Sequence, residues 1–515
     1  MKPIRLISGM FTVGLWTLLS RVFGVAREVM ILGLIGPGPV MDAFVAAFRL
    51  PNMFRRFFAE GAFNAAFVPM YSKRLEAAQD PEGFASEALS GLAFVVTCLT
   101  GMALVFMPAL VWATAEGFYG SERFDLTVDF GRIVFPYILF ISLAALLSGM
   151  LNAAGHFAAA AAAPVLLNIF VITTMGIAAL VGGPVATVLI WTVPFSGIAQ
   201  LALLWVAVRR AGFRLSWRRP RLTPDMKHLA VVALPAALAG GVMQINLLVG
   251  QQVASHFEKA VGWLYAADRL YQLPLGVVGI AAGIVLLPDL SRRLKARDDE
   301  GARNAFSRAG EFAFILSLPC AVALVVIPLP LVSVLFERGA TGADDAAAIA
   351  VAVAIYGMGL PAFILQKLLQ PLFFAREDTK SPFRYAVWSM ILNAAIAIGL
   401  SPVIGWLAPA VATSLSGWAM VAMLTLGSRK FGDTVKYDAR FHARIWRILA
   451  ASLAMGMLVW GLNAVFGEVL VMDYIRYPAL AALILAGAAG YLVFGQLFGA
   501  FTMRDLGGAL RRRKA

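Results

Sequence analysis

Long stretches without a single charged side chain decide what this sequence can become. Leu92 to Ala115, Ile133 to Ala154, Phe157 to Val208 and Leu229 to Gln252 carry neither acid nor base. At about 20 residues per crossing, each is long enough for one or two passages through a bilayer. Hydrocarbon offers backbone groups no water, so such passages must be helical. The period-two alternation of an outer-membrane barrel is missing. Only 14% of the residues are charged, against roughly a quarter in soluble chains.

The net charge of +14 raises the question of nucleic acid, but its placement answers otherwise. Basic residues crowd Arg209 to Lys227, Arg292 to Arg303, Arg429 to Arg444 and the tail Arg511 to Lys514, whereas loops such as Gly182 to Pro184 are bare. This alternation follows the positive-inside rule and assigns the basic loops and both termini to the cytoplasm. Their expected partners are anionic membrane headgroups, not nucleic acid.

Counting apolar runs predicts about fourteen transmembrane helices. Part of the chain recurs: Leu50, Pro51, Pro69, Ser72, Arg74 and Leu75 reappear as Leu273, Pro274, Pro288, Ser291, Arg293 and Leu294. Both copies run in the same direction, which predicts two lobes related by an axis along the membrane normal. The expected fold is therefore an all-α polytopic membrane protein. It has two pseudo-symmetric six-helix lobes around a central cavity and two C-terminal helices without a counterpart in the repeat. The divisions fall at 1–217, 218–436, 437–503 and a basic tail at 504–515.

Charges inside the spans carry the functional information, because each costs about 2.5–3.5 kcal/mol at the bilayer centre and normally faces a cavity or a partner. The first span holds Arg21, Arg27 and Glu28, the second Asp42, Arg49, Arg55, Arg56 and Glu60, and a later one Asp268 and Arg269. Arg56 and Glu60 lie one turn apart and can neutralise each other; Arg21 and Glu28 also share a face. Arg49 reads as snorkelling to the surface. Six arginines against four acids leave a surplus of two positive charges, which suits an anionic cargo such as a diphosphate. Arginine binds phosphate oxygens bidentately and stays charged in a poorly hydrated site. Gly24 and Pro51 interrupt the two charged spans and are candidate hinges. Asp344 and Asp345 read as solvated loop charges. There is no Walker loop or dinucleotide fingerprint, no clustered histidine and no disulfide framework.

Three segments, Ser20–Glu28, Met41–Pro69 and Ala267–Leu294, resemble the MurJ (MviN) family of lipid II flippases, within the multidrug/oligosaccharidyl-lipid/polysaccharide exporter superfamily. Asn152–Asn168, Val334–Ala340 and Phe373–Pro382 extend the likeness over nearly the whole chain. The resemblance implies an inner-membrane transporter, not an enzyme. It would carry lipid II, the undecaprenyl-diphosphate-linked peptidoglycan precursor, outward by alternating access. It further implies cargo contacts at Arg21, Arg27, Arg55 and Arg269, with supporting acids at Asp42, Glu60 and Glu28. The last two helices would form a groove for the lipid tail. No cofactor is implied; coupling to membrane potential or, in some members, to a monovalent cation is, as is company with other cell-wall synthesis proteins. Gln272 departs from the glutamate some members place there. A flippase for another polyprenyl-diphosphate glycan is the competing reading.

Overall fold

A computed structural model describes residues 6–55, 62–296, 298–470, 472 and 474–502, with backbone alone at 6–12, 62, 65, 234–246 and 277–289. Among the described residues it is all-helical apart from one isolated bridge between Arg338 and Thr341. In the first part of the chain these helices are α1 (Leu6–Leu34), α2 (Pro39–Arg55), α3 (Ala62–Ala77), α4 (Pro81–Val105), α5 (Met107–Thr114), α6 (Glu122–Val134), α7 (Tyr137–Ala153), α8 (Phe157–Leu180), α9 (Val185–Arg210) and α10 (Pro224–Ser255). The remainder are α11 (Ala260–Lys295), α12 (Asp299–Val326), α13 (Pro328–Phe336), α14 (Ala343–Phe374), α15 (Lys380–Ile404), α16 (Ala408–Ser428), α17 (Ala439–Phe466) and α18 (Arg476–Leu497). Nine described stretches are apolar and long enough to cross a membrane. Several helices are pieces of one passage, as where Pro108 and Pro328 help restart the helix after one intervening residue. The protein is a multi-pass membrane protein, and the element order is compatible with about fourteen crossings.

Local chemistry sets the boundaries. Gly36 ends α1 in the left-handed conformation (φ 69°), and Pro39 opens α2 with its φ already helical. Pro51 does not break α2, which runs through it to Arg55 with the proline buried. Gly24 leaves α1 continuous and lies against Asn168 of α8, where an added Cβ would sit 3.8 Å from Nδ2. Ordinary contact is available there, so close packing does not demand glycine.

The chain divides into two compact units, Met1–Gly262 and Trp263–Ala515. In the first unit α10 packs on α3 and on α5. An aromatic ladder, Phe63–Phe67–Tyr71, climbs α3 at one-turn steps and meets Phe84 of α4, with centroids 5.5–5.6 Å apart. In the second unit, α12, α13, α17 and α18 share an apolar core, and α12, α14 and α16 share another.

The duplication read from sequence has a structural signature inside each unit. Asp80 caps α4 by accepting from Gly83 N–H at 2.9 Å, and Asp298 caps α12 by accepting from Gly301 N–H at 2.8 Å. The connection after α9 docks on α4, where Ser216 N–H donates to Ser86 Oγ at 3.1 Å. After α16, Asp438 N–H donates to Ser307 Oγ of α12 at 3.1 Å. Thr223 then caps α10 and Asp438 caps α17. α17 thus enters the second unit from a docked connection much as α10 enters the first.

The Phe373–Pro382 motif forms a lock in the loop between α14 and α15. Lys430 donates to Asp378 at 2.7 Å, as do Ser381 N–H and Oγ at 2.9 and 2.8 Å, while Arg376 reaches Thr434 at 2.7 Å. The hydrogen bond from Lys430, then those from Ser381, holds the Asp378 carboxyl down to about 2. A depressed carboxyl stabilises the fold above its ordinary range, near 4, and loses that contribution as pH falls through about 2. Asp378→Asn is expected to melt below the parent protein at pH 7, with the gap in Tm narrowing as pH drops from 4 to 2.

Candidate functional site

The charged residues of the first unit form two separate assemblies. On α1, Ser20, Gly24 and Arg27 fall at one-turn spacing and face α8. Arg27 donates to Asn168 Oδ1 at 2.9 Å, and Asn168 Nδ2 donates to the Ser20 carbonyl at 3.0 Å. Arg27 also pairs with the neighbouring Glu28, which is buried. Glu28 therefore serves Arg27, not Arg21 as their shared face allowed. Arg21 is half-buried and makes no side-chain hydrogen bond or ion pair among the described residues. A partly dehydrated guanidinium without a protein partner is a ready anion binder.

The second assembly centres on Asp42, which is 0% exposed. It accepts from Gly262 N–H at 2.8 Å and pairs with Arg123 of α6 at 3.5 Å. Arg123 in turn donates to the Phe257 carbonyl at 3.2 Å and lies 4.7 Å over the Phe118 ring. Nearby, Glu116 N–H and Gly117 N–H donate to Gln252 and Ser255 of α10, both at 3.0 Å. A Cβ on Gly117 would lie 2.4 Å from the His256 backbone nitrogen, so only glycine permits this approach. Asp42, an expected site residue, is enclosed by protein, its Oδ1 held by Gly262 N–H and its Oδ2 facing Arg123. Arg49 donates to the Leu247 carbonyl of α10 at 3.2 Å. Arg55 ends α2, half-buried. Arg56 and Glu60 lie outside the described residues.

In the second unit, Arg269 lies 4.4 Å over the Tyr265 ring, a cation–π geometry that orients its guanidinium. Gln272 hydrogen-bonds Asp268 one turn away. A carboxamide can donate to that carboxylate where a glutamate would repel it, so the departure at Gln272 is matched by its neighbour. Tyr271 packs between Tyr356 and Phe363, at 4.9 and 5.5 Å. Asp345 is not a solvated loop charge: it is buried and accepts from Trp263 Nε1 at 2.9 Å. Trp263 packs at a tilt against Trp406, with centroids 4.9 Å apart.

Three functional groups went unread in the sequence. Asn168 is uncharged and sits in a long apolar helix. Arg123 lies on a short amphipathic helix that resembles a loop. Third is a cluster of Arg308, Glu311, Asp438, Arg440 and Arg444 where α12 meets the start of α17. The detectable signal was the polar residue in an otherwise apolar span, which usually hydrogen-bonds a neighbouring helix.

Comparison with known proteins then fixes the family. A Rhizobium tropici protein described as "Probable lipid II flippase MurJ" is 42% identical over 524 residues, covering 99% of this chain and 98% of its own. The lipid II flippase MurJ of Burkholderia cenocepacia is 32% identical over 505 residues, covering 96% and 97%. Among solved structures, a lipid II flippase MurJ in an inward closed conformation aligns with a TM-score of 0.79, at 22% identity, over 96% of this chain and 99% of that one. A MATE family multidrug resistance transporter of the MOP superfamily, inward-facing, aligns with a TM-score of 0.67, at 16% identity, over 80% and 94%. These structural likenesses speak to the fold alone. The family model described as lipid II flippase MurJ matches residues 31–480, and the chain belongs to that family of membrane transporters, which are not enzymes.

Proposed function

We propose that this protein moves lipid II from the cytoplasmic to the periplasmic leaflet by alternating access, with its diphosphate bound by Arg21, Arg27, Arg55 and Arg269. Membership in the MurJ family over nearly the full chain carries the reading. Among the arginines, Arg21 supports it best, since no described protein group claims it. Glu28 and Asn168 act as positioning residues that fix the Arg27 guanidinium. Binding a diphosphate by several arginines needs no cofactor and no covalent step. The positive-inside pattern orients both termini to the cytoplasm.

The test uses cells depleted of this protein and challenged from outside with a toxin that cleaves lipid II. Depletion should reduce cleavage while total lipid II rises, and expression of the intact chain should restore it. If lipid II stays fully accessible on depletion, the cargo is another polyprenyl-diphosphate glycan and the assignment fails.

A further inference from the structure

The cytoplasmic ends of α12 and α17 gather charge that the fold does not require. Glu311 on α12 is 4% exposed and is met by Arg308, by Arg444 at 3.4 Å and by Arg440 at 3.5 Å. Arg308 also pairs with Asp438, the cap of α17. Three arginines thus converge on two carboxylates. Arg303 and Arg447 flank them, donating to the Lys436 and Tyr437 carbonyls and to the Gly499 carbonyl.

The first unit supplies an internal control. Its own connection docks on α4 through Ser86 and Ser90, and the ion pair there is the more exposed Glu87 with Arg218, at 3.5 Å. The second copy makes the same kind of docking through Ser307. A buried carboxylate with three arginines is therefore an addition to the docking, not a condition of it.

The location identifies a ligand. Arg440, Arg444 and Arg447 share one face of α17 and span about 10 Å of helix, within its first three turns. That depth corresponds to the headgroup layer on the side assigned to the cytoplasm. On another, exposed side of the same helix, Trp446 (71%), Leu453, Met457 and Trp460 form a stripe suited to an acyl chain. Tryptophan at the start of such a stripe marks the membrane interface. We propose that the α12–α17 end is a binding site for the phosphate of an anionic phospholipid of the inner leaflet, with Arg440 and Arg444 as its principal donors and Glu311 as the buried counter-charge that limits affinity. Arg440 is 46% exposed, so a phosphate can reach its head.

The test titrates the purified full chain in detergent with dioctanoyl phosphatidylglycerol or dioctanoyl phosphatidylcholine, reading saturable thermal stabilisation and lipid-bound mass. Phosphatidylglycerol should stabilise and phosphatidylcholine should not. Arg440→Gln should weaken phosphatidylglycerol binding about fivefold, the factor expected for one basic residue at an anionic surface. Glu311→Gln should tighten it, the opposite of what loss of a merely structural ion pair would do. Equal responses to both lipids, or a phosphatidylglycerol response unmoved by both substitutions, would overturn the site. So would an Arg440→Gln effect on binding of undecaprenyl diphosphate but not of phosphatidylglycerol, which would give the cluster to the cargo.

Discussion

Arg21→Ala is expected to fold and melt like the parent protein yet to lower lipid II translocation about ten- to hundredfold, the range set by ~1.5–3 kcal/mol for a hydrogen bond to a charged group. The two halves of that result have different origins. Stability is untouched because no described residue hydrogen-bonds or ion-pairs with the Arg21 side chain. Transport falls because the substitution removes a forked cation that the proposed diphosphate needs. Arg27→Ala is less clean, since it also strips Asn168 and buried Glu28 of their partner and should lower Tm. Arg21→Lys separates charge from geometry: a point charge cannot reproduce bidentate binding, so restoration should be partial. The readouts are toxin cleavage of externally exposed lipid II in complemented cells and Tm of each purified variant. Full transport by Arg21→Ala, at normal expression, would remove Arg21 from the site.

Fold class and topology were legible because bilayer physics acts on composition directly. Uncharged runs, basic loops and the Pro69/Pro288 repeat each carry a signal that survives without coordinates. The candidate site was legible only as a set of charges. Which charge meets which depends on the face each helix turns to its neighbours, and a one-residue difference decides it. Glu28 serves Arg27 and leaves Arg21 open, although Arg21 and Glu28 share a helical face. Asp42 looked like Arg21 in sequence, an expensive charge in an apolar span. Its environment is the reverse, because Arg123 and the Gly262 N–H close around it. The Glu311 cluster was hidden for another reason. Charges near a helix end are usually solvated, and nothing in the sequence marks Glu311 as buried.

Asp42→Ala should therefore act on stability first. Removing one partner of a buried ion pair strands the other, which typically costs about 3–5 kcal/mol. Here it would leave Arg123, itself largely buried, facing an apolar cavity, and would free the Gly262 N–H. A loss of that size should appear as a Tm drop of several degrees in detergent and as reduced yield. Replacing both partners distinguishes this account from a cargo contact. Asp42→Leu combined with Arg123→Met removes the stranded charge and fills the space, so the double variant should recover much of the Tm lost by Asp42→Ala. Were Asp42 a ligand for the cargo, the single substitution would leave Tm in place and reduce transport, and the double variant would rescue neither. A coupling of roughly 1 kcal/mol or more between the two positions would place Asp42 and Arg123 in the frame that holds α2 and α6 against Gly262. That frame lies in the same unit as Arg21 and Arg27 and fixes α2, the helix that ends at Arg55.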